Sequence, residues 1–199
     1  DEGDVPEVDA EEEERLGEPD LAVGRHREGG DDREEVDAHV APEGERSWTG
    51  RGFSRSGTVT LLPQERARAY ALDGTVSDCV NIGIAHLMDK KPDVVVSGIN
   101  LGFNMSLPLV STSGTVAGAL EAALWGIHGV ASSFHIPFDV FESVKASHGQ
   151  MDGALRSALE RSARRTAEYA LSLVNTPCTQ TVVHNLNFPS QGVLLMIQN

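Results

Sequence analysis

The sequence has little that would place the protein in a membrane or among disulfide-bonded proteins. It is 40% hydrophobic and 5% aromatic over 199 residues, and no apolar run approaches the roughly 18 residues that a membrane-spanning helix needs. The first residues are acidic, whereas a signal peptide begins with a basic and then an apolar stretch. Cys79 and Cys178 lie too far apart to form a metal pair or a disulfide framework. We expect no membrane span and a reducing, cytoplasmic location.

Basic residues are also scarce. The chain has 16 Lys and Arg against 30 Asp and Glu, which gives a net charge of −14. A protein that binds the nucleic-acid backbone needs a basic excess to neutralise phosphates, so the net charge argues against this class of partner, and we expect none. Small phosphorylated metabolites are not excluded, because one ion and a few backbone amides can hold a phosphate.

The acidity is confined to the start of the chain. Residues 1–40 hold 17 acidic side chains and four arginines, and they lack Ile, Phe, Tyr and Trp. Such a segment cannot bury enough apolar surface to offset the entropy lost on ordering. We therefore predict an acidic leader over residues 1–38, disordered or atypical, followed by a single domain over residues 39–199.

The remainder alternates between short apolar strands and helical patterns. Strands are predicted around Ser56–Leu62, Val94–Ser97, Val130 and Gln180–Asn187, and helices from Ser77 or Asp78 to about Met88, from Thr115, and over Leu155–Val174. Val94–Val96 is apolar on both faces, which is typical of a buried parallel strand. The alternation predicts an α/β fold with a mainly parallel sheet.

The chemistry is concentrated in the long loop predicted over residues 98–113. Ligands of open α/β sheets bind beyond the carboxyl ends of the strands, and this loop follows such a strand. Asn100 and Asn104 offer amide oxygens to a hard cation and amide N–H groups to an anion. Ser113, Gly114 and Thr115 then open a helix, whose unpaired N–H groups and dipole favour an anion.

A purely structural interpretation stays open at this point. Ser-Gly-Thr before a helix is an ordinary N-terminal cap, and Asn in a glycine-rich loop is often a turn residue that tolerates left-handed backbone. Taken alone, the residues indicate an α/β domain and are compatible with a phosphate site, and no more.

Together, these motifs resemble the SurE family, the survival protein E nucleotidases. The resemblance lies in the run from Pro92 to Asn104 (PDVVVSGINLGFN) and in Ser113 to Ala119 (SGTVAGA). Gly74 to Val80 (GTVSDCV) is similar to the family's GTPADCV, with Val76 in place of the usual proline. Val40 to Ser47 resembles the loop after the family's second strand, and Asn185 to Pro189 a later strand. The match covers about residues 39–189.

The resemblance implies a fold, a reaction and roles for matching residues. It implies a three-layer, Rossmann-like α/β domain that hydrolyses nucleoside 5′- and 3′-monophosphates with Mg²⁺ or Mn²⁺, and a homodimer or homotetramer in the intact family member. Asn100 and Ser47 would be metal ligands. Asn104, Ser113, Gly114 and Thr115 would hold the substrate phosphate. The ion would polarise the phosphoryl oxygens and generate a hydroxide near neutral pH.

The sequence departs from the family pattern at both ends. Family members begin with a buried strand ending in Asn-Asp-Asp-Gly, whose aspartates are the principal metal ligands, and this motif is absent here. Asp31-Asp32 is followed by Arg33 and lies too close to Ser47 for the usual intervening helix, so the ligand role is not transferred to it. We expect a domain that lacks the first strand and the C-terminal hairpin.

Two functional hypotheses follow. The first is a metal-dependent phosphomonoesterase, with its catalytic residues unassigned because the aspartate pair is absent. The second is a non-catalytic member that binds nucleotide or phosphate, since Ser47 and Asn100 are neutral and hold a divalent ion weakly. Trp48 has two open interpretations, a side chain that flanks a nucleobase or one that covers the core.

Overall fold

In the computed structural model, an eight-stranded sheet carries helices on both faces. The structure describes residues 21–24, 36–63, 68–147, 149–190 and 195–196, and for 21–24, 36–37 and 195–196 it describes the backbone alone. The strands are β1 (Leu21–Gly24), β2 (Val36–Pro42), β3 (Val59–Leu62), β4 (Arg68–Leu72), β5 (Val94–Leu101), β6 (His128–His135), β7 (Val183–Pro189) and β8 (Leu195–Met196). Their order across the sheet is β3-β4-β2-β1-β5-β6-β7-β8.

Most of the longer strands run in one direction. β2 pairs parallel with β4, and β6 pairs parallel with both β5 and β7. β1 is antiparallel to its neighbours β2 and β5, so β2 and β5 run parallel to each other. The carboxyl ends of β4, β2, β5, β6 and β7 therefore meet at one edge, where ligands of such sheets bind. The predicted α/β fold with a mainly parallel sheet is confirmed.

The helices form one layer on each face of the sheet. They are α1 (Val76–Ile82, continued by a π-helical turn over Gly83–Leu87), α2 (Leu107–Thr112), α3 (Gly114–Leu124), α4 (Phe138–Ala146) and α5 (Gly153–Leu173). On one face, Val95 of β5 packs with Val80 of α1 and Ala122 of α3. On the other face, Val94 and Val130 pack with the apolar stripe of α5 and with Phe141 of α4. Because alternate strand residues face opposite layers, the fold has three layers, as expected.

Two details around the predicted helices and loop differ from the sequence prediction. The helix after β4 is capped by Thr75, not by Ser77 or Asp78. The Thr75 side chain accepts from the Asp78 N–H at 3.1 Å, and Asp78 accepts in return from the Thr75 N–H at 2.9 Å, a capping box. The segment 98–113 is not wholly a loop, because β5 continues to Leu101 and α2 lies within it. A proline at the second position of α2 suits its first turn.

The slot between β2 and β5 is occupied by β1. This strand belongs to the segment expected to be a disordered leader, and the structure differs from that expectation at these four residues. Leu21–Gly24 is an uncharged run within the acidic segment, so it enters the sheet without burying charge. It runs antiparallel, so the slot holds no parallel strand. The rest of the predicted leader up to residue 35, including Asp31 and Asp32, lies outside the described residues.

Cys79 is buried against Val40 and Leu72, in keeping with a small apolar role. Burial raises the pKa of its thiol to about 12, so the thiol stays protonated near neutral pH. Within the described residues, no helix combines the length and apolar character needed to cross a bilayer.

Candidate functional site

A row of polar side chains crosses the carboxyl edge of the sheet. Asn100 of β5 is in register with Ser133 of β6, and Ser133 is in register with Asn187 of β7. Neighbours in register on parallel strands point their side chains to the same face. Ala131, two residues before Ser133, packs against Val116 and Ala119 of α3. The row therefore lies on the α3 face of the sheet.

Asn104, which follows β5, is held against this row. Its backbone N–H donates to Asn187 Oδ1 at 2.7 Å, and its carbonyl accepts from Asn185 Nδ2 at 2.7 Å. Its side-chain Nδ2 donates to Ser133 Oγ at 2.9 Å. Asn104 is only 5% exposed. The hydrogen bonds fix both the backbone and the side chain of the residue that was predicted to hold phosphate.

The start of α3 has the features of an anion site. Ser113 caps the helix, with its Oγ accepting from the Val116 N–H at 3.2 Å and its carbonyl accepting from the Ala117 N–H at 3.0 Å. The first N–H groups of a helix have no intrahelical acceptor, so those of Gly114 and Thr115 remain for a ligand. α3 is 11 residues long, so its dipole adds positive potential at this end.

The loop after β2, here called the Ser47 loop (residues 43–57), reaches the same helix terminus. A Cβ at Gly114 would lie 3.2 Å from Val76 Cγ2 and 3.8 Å from the Arg46 carbonyl oxygen. The Gly50 N–H donates to the Thr112 carbonyl at 2.9 Å. Ser47 lies between these two contacts in sequence. The structure thus brings the Ser47 loop beside Ser113 and Gly114, although the two segments are more than 60 residues apart.

Buried and partly buried groups fasten this loop to α1 and α3. Arg51 forms an ion pair with Glu121 of α3, a carboxylate that is 3% exposed and also accepts from Asn81 Nδ2 at 3.2 Å. The Ser54 N–H donates to Asp78 Oδ2 at 3.0 Å. Burial raises the pKa of the Asp78 carboxyl, but hydrogen bonds from Thr75 and Ser54 outweigh it and hold the pKa below its usual value.

Ser47 is exposed and already engaged with a carboxylate. Its Oγ donates to Glu45 Oε1 at 2.9 Å, and Lys145 Nζ of α4 lies 3.3 Å from Glu45 Oε2. The hydrogen bond from Ser47, followed by the hydrogen bond and charge of Lys145, lowers the pKa of Glu45, so this carboxyl is ionised at neutral pH. The adjacent Trp48 is 72% exposed. It therefore does not cover the core, and the nucleobase interpretation stays a prediction.

The described donors fit a hard divalent cation by type but not in charge. Ser47 and Asn100 offer neutral oxygens, which Mg²⁺ and Mn²⁺ accept. The described residues contain no group of three or more His, Cys, Asp or Glu side chains that could hold a metal ion. Ser47 and Asn100 by themselves are thus an incomplete set of metal ligands.

The structure brings Asn104 against the polar row that includes Asn100, and it brings the Ser47 loop beside Ser113 and Gly114. It also shows partners that sequence reasoning missed. Ser133 was not named from the sequence, and Asn185 and Asn187 were named only within a strand that resembles the family, not as site residues, although the polar Asn-Leu-Asn alternation in β7 was a signal. The Arg51–Glu121 pair was also missed, because nothing in the spacing of a loop arginine and a helix glutamate indicates their contact.

Comparison with known proteins places these features in a family context. The family model described as survival protein SurE matches residues 31–196. The chain is 45% identical over 97 residues to the 5′-nucleotidase SurE of Caldanaerobacter subterraneus subsp. tengcongensis. The matched residues are 47% of this chain and 38% of that protein. It is 35% identical over 150 residues to the 5′-nucleotidase SurE of Chelativorans sp., which covers 75% and 54%.

A solved structure has the same fold. The SurE protein from Aquifex aeolicus matches with a TM-score of 0.55 and 26% sequence identity, over 76% of this chain and 54% of that one. The chain spans about half the length of the curated relatives it matches.

Proposed function

The chain belongs to the survival protein SurE family, and from that premise we propose that it is a phosphomonoesterase that hydrolyses nucleoside 5′- and 3′-monophosphates. The observation that carries this proposal is the start of α3, where Ser113, Gly114 and Thr115 lie beside the Ser47 loop. The names of the relatives, 5′-nucleotidase SurE, support a nucleotide substrate.

Phosphate binding follows from the helix terminus. The N–H groups of Gly114 and Thr115 would donate to phosphoryl oxygens, and the α3 dipole would favour their negative charge. Asn104 would contribute from the neighbouring loop. Because these donors are held before substrate arrives, they would also stabilise charge that develops on the phosphoryl group during hydrolysis.

A divalent cation, Mg²⁺ or Mn²⁺, is part of the proposal. Ser47 and Asn100 are its proposed ligands, each through a neutral oxygen. When bound, such an ion would polarise the phosphoryl oxygens and make water a stronger nucleophile near neutral pH. The contacts of Arg51 with α3 and of Asp78 of α1 with Ser54 would hold the Ser47 loop in place.

The remaining parts of the proposal concern the base, the assembly and the location. Trp48 is exposed next to Ser47 and offers an aromatic face for a nucleobase. We propose a cytoplasmic protein that forms a homodimer or homotetramer when intact, and that does not bind the nucleic-acid backbone because its net charge is −14.

A second candidate is a member that binds nucleotide without hydrolysing it. The observation that favours it is the donor set, because the described residues offer two neutral ligands and no cluster of three acidic or histidine side chains. Asn104 and the start of α3 would still bind phosphate in such a protein.

The phosphate site is tested by thermal unfolding with inorganic phosphate. We expect phosphate to raise the unfolding temperature of the wild type, and the double variant Ser113→Ala with Thr115→Ala to lose that protection. Ser157→Ala with Thr176→Ala is the matched control, since both hydroxyls donate to backbone carbonyls of α5, those of Gly153 and Ser172. Unchanged protection in the first double variant would contradict the phosphate site.

A further inference from the structure

We infer that Asn187, with Ser133 as its neighbour in the row, is a positioning residue for the loop after β5 that carries Asn104. It fixes Asn104 relative to Asn100. The inference rests on the proposed function, because it names the residues that set the geometry of the same site.

The contacts of Asn187 are all directed to this loop or to its support. Its Oδ1 accepts from the Asn104 N–H at 2.7 Å, and its Nδ2 lies 3.5 Å from the Asn104 carbonyl and 3.1 Å from Asn185 Oδ1. One side chain thus engages both ends of the Asn104 backbone. Asn187 is 3% exposed, so its hydrogen bonds do not compete with bulk water.

Ser133 connects this arrangement to the proposed metal ligand. It lies in register between Asn100 and Asn187, and its Oγ accepts from Asn104 Nδ2 at 2.9 Å. Asn104 is therefore tied by its backbone to β7 and by its side chain to β6, next to Asn100 on β5. Between the two residues, the Gly102 N–H also donates to the Phe134 carbonyl of β6 at 2.9 Å, so the side chains of Asn187 and Ser133 add to a backbone contact with β6.

This arrangement has a functional consequence. Without these hydrogen bonds Asn104 would sample several positions, and substrate binding would have to select one of them. Hydrogen bonds to β6 and β7 use the backbone N–H and one side-chain N–H of Asn104. They hold its second side-chain N–H in place beforehand, which favours binding by reducing the ordering that the phosphate must impose.

Hydrogen exchange at the Asn104 amide tests the contact itself. In Asn187→Ala the Asn104 N–H loses its acceptor, and we expect its exchange to accelerate. Ser132→Ala is the matched control, because Ser132 is equally buried but faces α5, where its Oγ bonds Thr166 Oγ1 at 2.8 Å. Exchange at Asn104 should be unchanged in that variant. Unaltered exchange in Asn187→Ala would overturn the inference.

Affinity for inorganic phosphate, measured by calorimetry with Mn²⁺ present, tests the positioning role. We expect Asn187→Ala and Ser133→Ala to raise the dissociation constant about tenfold, Ser133→Thr to restore most of the loss, and Ser132→Ala to leave it unchanged. Faster exchange at Asn104 without weaker phosphate binding would overturn the inference while leaving the proposed function intact. Wild-type protein that binds no phosphate would instead overturn the proposed function, and the positioning role with it.

Discussion

Gly114, the first residue of α3, has little room for a side chain. Its missing side chain lets Val76 of α1 and the carbonyl of Arg46 approach the first turn of the helix. The close approach brings the Ser47 loop next to the amides that are proposed to bind phosphate. A glycine at this position serves packing as well as ligand access, so its replacement should affect both.

We expect Gly114→Ala to lower the free energy of unfolding by about 1 kcal/mol, because the new Cβ would press on Val76 Cγ2 at 3.2 Å. Phosphate binding should weaken as well. Gly153→Ala is the matched control, since Gly153 is also the first residue of a helix and a Cβ there would meet nothing within 4 Å. That variant should gain about 0.5 kcal/mol through reduced chain entropy in the unfolded state. Urea unfolding of both variants decides the matter, and equal effects would contradict the packing argument.

Among the elements, the loop after β2 depends on α1 and α3 for its position. From the loop, Arg51 pairs with Glu121 of α3, and the Ser54 N–H donates to Asp78 of α1. In the other direction, the hydroxyl of Thr75, which caps α1, donates to the Gly52 carbonyl of the loop. Residues 43–57 contain neither helix nor strand, so their conformation depends on these contacts. The loop and the two helices therefore form one structural unit around the site.

Removal of Arg51 should disrupt this unit. Among the described residues, Arg51→Ala leaves the buried Glu121 carboxylate with Asn81 as its remaining hydrogen-bond donor, and we expect a loss of about 2 kcal/mol. The arginine also stacks on Phe53, with its guanidinium carbon 4.8 Å from the ring centroid. Arg165→Ala removes an exposed pair with Glu168 and should change stability by less than about 0.5 kcal/mol. Denaturant unfolding compares the two, and a similar small loss in both would show that the buried pair is not needed.

The elements also show what sequence alone could supply. The alternation of apolar strands with helical periodicity was enough to predict α/β order, because local patterns determine element type. β1 was missed because its apolar run is only four residues long within an acidic segment, and its pairing depends on the slot between β2 and β5. The hydrogen bonds from Asn187 to Asn104 were missed because they join residues about 80 positions apart, and the sequence does not state which strands become neighbours.

For the whole molecule, the polar groups at the amino-terminal edge of the sheet affect pH stability. There, the rings of His128 and His184 are 5.7 Å apart, and His184 Nδ1 bonds the Tyr169 hydroxyl at 2.8 Å. Burial, and then the nearby His128, lowers the pKa of His184 below 6.5. Unfolded His184 therefore takes up a proton at a higher pH than folded His184 does.

This shift gives a prediction with a definite sign. The stabilisation is fully present above about pH 6.5 and is lost as the pH falls from there through the folded-state pKa. Urea unfolding between pH 7.5 and 5 should show falling stability, and His184→Gln should reduce the slope. The exposed His86→Gln is the control. The lowered pKa values of Asp78 and Glu45 add a separate loss only at more acidic pH, below their ordinary values. If His184→Gln left the slope of stability against pH unchanged, the loss of stability would be due to other groups than His184.

The most direct test of the proposed activity is phosphate release from 5′- and 3′-AMP and GMP by the purified chain. The assay would be run with Mn²⁺, with Mg²⁺ and with a chelator, and repeated with Asn100→Ala. We predict turnover that requires the divalent ion, is abolished by the chelator and is lost in Asn100→Ala. A folded chain that binds phosphate but releases none from any of these nucleotides would contradict the proposal that the protein is a phosphomonoesterase. It would favour the second candidate, a protein that binds nucleotide without hydrolysing it.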